Sequence, residues 1–148
     1  EKFSPFLKGD IRNDMTNLSL GKLYSSRGKY VDAIGYFAKI KKKHWYFRSQ
    51  SLSNIVICFF ELREFKSVTL VLKQLTTYLK TSKGIYNFMQ KNLQVFSEFL
   101  RQFVKLIELD DKKQMDVMLV EINQSERFSY KEWLISKIEK EKAAKRLP

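Results

Sequence analysis

Apolar residues in the first part of the chain recur at the spacing of an amphipathic helix, in two successive segments. Residues 14–27 carry the first set, namely Met15, Leu18, Leu20, Leu23 and Tyr24. Residues 29–40 carry the second set, namely Tyr30, Ala33, Ile34, Phe37 and Ile40. Positions three and four residues apart lie on one face of a helix, so each segment is predicted to be helical. Asp14 is the predicted N-cap of the first helix, and Gly28 is predicted to end it.

The same pattern returns further along the chain. The apolar positions of a third and a fourth predicted helix are Leu52, Ile55, Val56 and Phe59, then Phe65, Val68, Leu72 and Leu75. Arg63 takes the place of Gly28 at the turn, and Phe65 follows Tyr30 by 35 residues. A period of about 20 to 50 residues is typical of a helical solenoid, in which each helix pair buries its apolar face on its neighbour.

A longer apolar stripe runs from Tyr86 to Ile107. Its members are Tyr86, Met89, Leu93, Phe96, Leu100, Phe103 and Ile107, and it is widened by Phe88, Phe99 and Leu106. This segment is predicted to be the longest helix, and its width favours core packing over a coiled coil. Asp111 with Gln114, and Ser129 with Glu132, resemble capping boxes that start two shorter helices.

No segment alternates apolar and polar residues as a strand does, so the chain is predicted to be all-α. We interpret residues 1–148 as a single helical-repeat domain. Its predicted parts are a first unit at 14–47, a second at 49–82 and a C-terminal helical layer at 85–142.

The first unit resembles a tetratricopeptide repeat. The residues that carry the resemblance are Leu20, Gly21, Tyr24, Gly28, Tyr30, Ala33, Phe37 and Ile40. The second unit keeps aromatic residues at Phe59 and Phe65 but has larger residues at Val56, Arg63 and Val68, so it resembles a degenerate repeat. Lys131 to Leu134 resembles the C-terminal end of some uncharacterised bacterial proteins of this family. The resemblance implies antiparallel helix pairs stacked as a short right-handed α-solenoid with C-terminal capping helices.

The resemblance also implies a non-enzymatic scaffold that binds a peptide or a helix in a groove lined by the first helix of each pair. The implied groove residues are Met15, Leu18, Lys22, Ser25, Ser53, Asn54, Ile57 and Phe60. The family's clamp for a terminal carboxylate is not reproduced, because Leu18 and Lys22 stand where that clamp has Lys and Asn. Binding of chaperone tails is therefore not expected.

The charge of the chain favours an acidic partner. The net charge is +12, and residues 1–50 hold 11 Lys and Arg against 4 Asp and Glu. Such a field attracts acidic peptides, nucleic acid and anionic lipid without selecting among them.

A second interpretation rests on the basic and aromatic segment 39–48. The candidate nucleic-acid contacts are Lys39, Lys41, Lys42, Lys43, Trp45, Tyr46 and Arg48. Lysines beside stackable rings suit a single strand, because phosphates pair with the cations and bases lie on the rings. The competing interpretation is an exposed helix end followed by Trp45 and Phe47 packing into the next repeat. Three consecutive aromatic residues cannot all face one side of a helix, so at least one is expected to face outward.

The sequence offers little for catalysis. Gly21 to Tyr30 has neither the spacing nor the hydroxyl of a phosphate-binding loop, so Gly21 is assigned to helix packing and Gly28 to a turn. His44 is the single histidine, and Cys58 lies in an apolar run where it is expected to pack. We therefore predict no enzyme, no cofactor and no metal site.

The longest uncharged stretch, Ser49 to Phe60, is shorter than the roughly 20 residues of a membrane span, so a soluble, cytoplasmic protein is expected. The chain begins at Glu1 without a methionine, which leaves open that it is the C-terminal part of a longer protein with unknown targeting. In that case it would be the structural cap of a longer repeat array. The oligomeric state is open.

Overall fold

The computed structural model describes residues 9–41, 44–82, 84 and 87–144. These residues form seven helices and no strand, which confirms the all-α prediction. The helices are α1 Gly9–Ser26, α2 Tyr30–Ala38, α3 Trp45–Glu61, α4 Phe65–Thr81, α5 Asn87–Leu109, α6 Lys112–Gln124 and α7 Lys131–Ala143. The chain divides into two compact units, Glu1–Ile85 and Tyr86–Pro148.

The first unit consists of two helical hairpins in succession. α1 packs against α2 and α3 against α4, while α3 also contacts both helices of the first hairpin. The core of the first hairpin and of its junction with α3 contains Leu18, Ala33, Phe37, Ile40, Phe47 and Cys58. Leu52, Val56, Val68, Leu72 and Leu75 are buried on α3 and α4. The apolar positions that the periodicity marks for α2, α3 and α4 are therefore buried or partly buried. Among the marked positions of α1 only Leu18 is buried, while Met15 and Leu23 are 51% and 42% exposed.

Both hairpins turn through the same backbone conformation. Gly28 has φ 74° and Arg63 has φ 58°, both in the left-handed region. The amide of the next residue donates back to the helix that has just ended, from Lys29 to the Tyr24 carbonyl at 2.9 Å and from Glu64 to the Phe59 carbonyl at 2.9 Å. This is the Schellman arrangement that satisfies the last carbonyls of a helix. The prediction that Arg63 takes the place of Gly28 is confirmed.

The same corner appears a third time, between α5 and α6. Asp110 has φ 51°, and the Asp111 amide donates to the Leu106 carbonyl at 3.0 Å. Asp111 then caps α6, since its side chain accepts a hydrogen bond from the Gln114 amide at 3.0 Å, which confirms that cap. The C-terminal segment, whose sequence does not resemble the repeat, thus uses the hairpin corner of the first unit.

The second unit places α7 against both α5 and α6. This repeats the relation of α3 to α1 and α2. The stripe residues Leu93, Phe96, Leu100, Phe103 and Ile107 are buried, whereas Tyr86 lies outside the described residues. Phe88 was expected to widen the stripe but is 75% exposed. Phe96, about two turns further along α5, carries the ring contact with Tyr130 at 5.0 Å between centroids.

Two predicted helix starts are wrong. α1 begins at Gly9, so Asp14 lies inside the helix and is not its N-cap. Ser129 does not cap α7 either, because Tyr130 is the N-cap residue, has φ 61° and makes no side-chain cap bond. Tyr130 packs on the ring of Phe96, and this tertiary contact accompanies a helix start one residue later than Ser129 would give.

Asp14 has a different role from the one predicted. It is buried, and its Oδ1 accepts a hydrogen bond from the backbone amide of Lys41 at 2.8 Å. One turn earlier on α1, Asp10 Oδ1 accepts a hydrogen bond from Lys41 Nζ at 2.9 Å. The two carboxylates therefore hold the chain just beyond the end of α2 against α1.

Gly21 allows α1 and α2 to approach closely. A Cβ at this position would lie 2.6 Å from Cδ1 and 2.7 Å from Cζ of Phe37, inside the ring's van der Waals surface. Phe37 is fully buried and has no space to withdraw into a close-packed core. The packing role predicted for Gly21 is confirmed.

We expect Gly21→Ala to lower the free energy of unfolding by roughly 1 to 2 kcal/mol, because overpacking outweighs the better helix propensity of alanine. Gly35→Ala is the matched control, since a Cβ there meets no atom within 4 Å. This control should raise the free energy of unfolding by about 0.5 to 1 kcal/mol. Urea denaturation measures both changes, and equal effects at the two glycines would contradict the close approach.

We expect Asp14→Ala to lower the free energy of unfolding by roughly 1 to 3 kcal/mol, because the Lys41 amide loses a buried acceptor. Asp14→Asn keeps an acceptor oxygen and should lose less than half as much. Thermal and urea denaturation of the two variants provide the test. Indistinguishable losses would mean that the amide of Lys41 does not depend on this side chain.

Candidate functional site

The predicted groove lies on α1 and α3, which contact each other directly. Its eight residues differ in accessibility. Met15 is 51% exposed and Lys22 is exposed, while Ser25, Asn54 and Ile57 are partly buried. Leu18, Ser53 and Phe60 are buried, with exposed fractions of 7%, 0% and 4%. A partner in this groove would therefore touch the first five residues and not the last three.

The buried three have structural partners. Leu18 belongs to the core cluster around Phe37. The ring of Phe60 packs edge-on against Phe65, with centroids 5.5 Å apart. The Ser53 hydroxyl donates to the Ser49 carbonyl of its own helix at 2.7 Å. These three side chains therefore contribute to packing within the first unit and are not accessible to a partner.

Cys58 and Ser25 form a contact between α3 and α1, the first helices of the two hairpins. Cys58 Sγ lies 3.9 Å from Ser25 Oγ, across the contact between α3 and α1. The thiol is buried, and burial raises the pKa of Cys58. A protonated, inaccessible thiol is a poor nucleophile. The interpretation of Cys58 as a packing residue is confirmed.

The basic and aromatic segment distributes its charges over several places. Lys39 Nζ lies over the ring of Tyr36, 4.9 Å from its centroid, and Lys41 pairs with Asp10. The Arg48 guanidinium lies over the ring of Tyr78 on α4, 5.7 Å from its centroid. Lys42 and Lys43 lie outside the described residues. The three described cations thus contact three different helices.

The rings of this segment take part in packing. Phe47 is buried, Tyr46 packs against the core cluster, and Trp45 is partly buried. His44 is the N-cap of α3, since its Nδ1 accepts a hydrogen bond from the Tyr46 amide at 3.3 Å. Its ring also stacks on Trp45, with centroids 5.8 Å apart. Sequence reasoning did not anticipate the capping role of His44.

A polar pocket on the first hairpin was also missed. It has a volume of about 490 Å³ and is lined by Tyr24, Lys29, Asp32, Tyr36 and Lys39 among others. The rings of Tyr24 and Tyr36 lie 5.1 Å apart, and a hydrogen bond with Tyr24 raises the pKa of Tyr36. Lys29 lies over the Tyr24 ring, 5.9 Å from its centroid. Two tyrosines followed within five residues by lysines are the sequence signal that could have identified this pocket.

In the part of the chain that the structure describes, no three His, Cys, Asp or Glu side chains converge in a way that could hold a metal ion. None of the described helices combines the length and the apolar character needed to cross a membrane. Comparison of the chain with protein-family models, curated proteins and solved structures gave no match.

Because Cys58 is buried, we expect its thiol to resist an aromatic disulfide reagent in the native protein and to react fully in denaturant. Ser26→Cys in a Cys58→Ala background is the control, since Ser26 is exposed at the end of α1. The control should react at the rate of a free thiol. Equally fast reaction of native Cys58 would contradict its burial.

Proposed function

We propose that this protein is a non-catalytic interaction module that binds an acidic peptide or helix along α1 and α3. The observation that carries the proposal is the direct contact between these two helices, with Met15, Lys22, Asn54 and Ile57 left accessible along them. Met15 offers a flexible apolar anchor, and such side chains suit partners that bury an apolar residue.

Charge supports the choice of an acidic ligand. Lys22 is exposed between Met15 and Ser25 on the same helix. The first 50 residues carry 11 of the chain's 28 Lys and Arg but only 4 of its 16 Asp and Glu. A positive field raises the association rate of an acidic ligand, while apolar contacts hold it in place.

The repeat-like organisation also supports a binding module of the tetratricopeptide type. The corners at Gly28 and Arg63 share one backbone geometry, and α3 packs on both helices of the preceding hairpin. In a solenoid, such stacking aligns the first helices and creates an extended surface for a partner.

The test begins with a phage-displayed peptide library selected on the whole chain. Affinities of the selected peptides are then measured by fluorescence polarisation. We expect acidic peptides to be enriched, and Met15→Asp to weaken their binding by at least about tenfold through loss of an apolar anchor. Lys22→Glu should weaken binding by slowing association.

Val31→Asp is the matched control, because Val31 is 70% exposed on α2 and lies outside the groove. Its affinity should equal that of the wild type. Equal losses for Met15→Asp and Val31→Asp would place the contact elsewhere, and failure to select any peptide would contradict the proposed function. Titration with single-stranded oligothymidine tests the nucleic-acid alternative, for which affinity must fall steeply as salt rises.

A further inference from the structure

Among the residues that the structure describes, Arg48 is a cation without an acidic partner. Its Nη1 is buried and makes no hydrogen bond, and among the described residues no carboxylate forms an ion pair with it. Burial lowers the pKa of Arg48, but a guanidinium still carries its charge at neutral pH. A buried donor that lacks a partner is costly, and native proteins satisfy most such groups.

The guanidinium borders an open pocket on α3 and α4. The pocket has a volume of about 560 Å³, and its lining includes Arg48, Leu70, Lys73, Gln74, Thr77 and Tyr78. It holds two cations and no acidic residue. Leu70 is 60% exposed, and the Tyr78 ring lies beneath Arg48. Charge and apolar surface therefore lie side by side in a space of the size that small ligands occupy.

We propose that this pocket binds an organic carboxylate, with the carboxylate group on Arg48 and Lys73 and its apolar body against Leu70 and Tyr78. The planar fork of a guanidinium matches the two oxygens of a carboxylate. Because Nη1 itself is buried, the carboxylate would accept hydrogen bonds from the accessible edge of the guanidinium. Gln74 and Thr77 add neutral hydrogen-bonding groups at the wall of the pocket.

This site is separate from the groove on α1 and α3. Arg48 and Ile57 are nine residues apart on α3, which is about two and a half turns and places them on opposite faces of the helix. The remaining pocket residues belong to α4. The two proposals therefore fail or succeed independently.

Three probes that share one ring test the proposal, namely phenylacetate, phenylacetamide and phenyl phosphate. Binding is followed by NMR through the Tyr78 ring and the Arg48 Nε–H signals. We expect phenylacetate to shift both signals in a saturable way and to bind at least about tenfold more tightly than the amide, which lacks the charge. Free organic acids and the C-terminal carboxylate of a peptide share this chemistry. N-acetyl-leucine resembles a peptide C-terminus, so comparing its affinity with that of phenylacetate distinguishes the two sources.

Arg48→Met should weaken phenylacetate binding by at least about tenfold. The same substitution should raise the Tm of the ligand-free protein, because it removes a donor atom that is buried without a hydrogen-bond partner. Lys73→Met, which changes a more exposed side chain, should also weaken binding. Lys80→Met is the matched control, since Lys80 is exposed on α4 outside the pocket, and should bind as the wild type does.

Three results would overturn the proposal. The first is the absence of saturable phenylacetate binding to the wild-type chain. The second is equal binding by wild type, Arg48→Met and Lys73→Met. The third is tighter binding of phenyl phosphate than of phenylacetate, which would assign the pocket to phosphate groups.

Discussion

Reversal of the chain through one left-handed residue is the constraint on which the helical hairpins depend. At Gly28, Arg63 and Asp110 the backbone takes a positive φ, and the following residue donates back into the helix that has just ended. That following residue is also the N-cap of the next helix, with nearly equal dihedrals at Lys29, Glu64 and Asp111. Because each corner takes so few residues, the two helices that it joins pack against each other. Arginine adopts this conformation less readily than glycine or aspartate, so the packing of α3 against α4 must offset its cost at Arg63.

Much of this organisation follows from the sequence because it depends on short-range spacing. Helix periodicity and C-cap chemistry act over a few residues. The hairpins of the first unit can therefore be located from the spacing of Tyr30, Ala33 and Phe37 and from the 35-residue repeat that relates Gly28 to Arg63. Asp14 was misassigned because an aspartate before an apolar run is equally compatible with an N-cap and with a buried acceptor. What decides between the two is the amide of Lys41, 27 residues away. Ser129 does not cap α7, and the N-cap residue Tyr130 makes a long-range ring contact with Phe96 that the local pattern does not reveal.

The candidate groove illustrates the same limit. A helical wheel identifies an apolar face but does not say which flank meets the partner helix and which meets solvent. α3 contacts α1, α2 and α4, so Ser53 and Phe60 are buried while Asn54 and Ile57 remain partly accessible. The pocket beside Arg48 is out of reach of sequence reasoning altogether, because its ring partner Tyr78 is 30 residues away on another helix. The sequence of the lysine-rich segment does not indicate that Arg48 contacts α4 while Lys39 and Lys41 contact α2 and α1.

The hydrogen bonds of Asp10 and Asp14 with Lys41, which join α1 to the end of α2, have a consequence for how the sequence can vary. Asp14 binds the backbone of residue 41 and not its side chain. The connection therefore places a strict demand on position 14 but tolerates almost any residue at position 41, proline excepted, because proline alone lacks the amide hydrogen. A mutational scan read only through side-chain contacts would score Lys41 as the important partner, through its ion pair with Asp10. Because the hydrogen bond is made by the backbone of residue 41, substitutions at Asp14 are expected to be poorly tolerated, whereas most substitutions at position 41 preserve the bond.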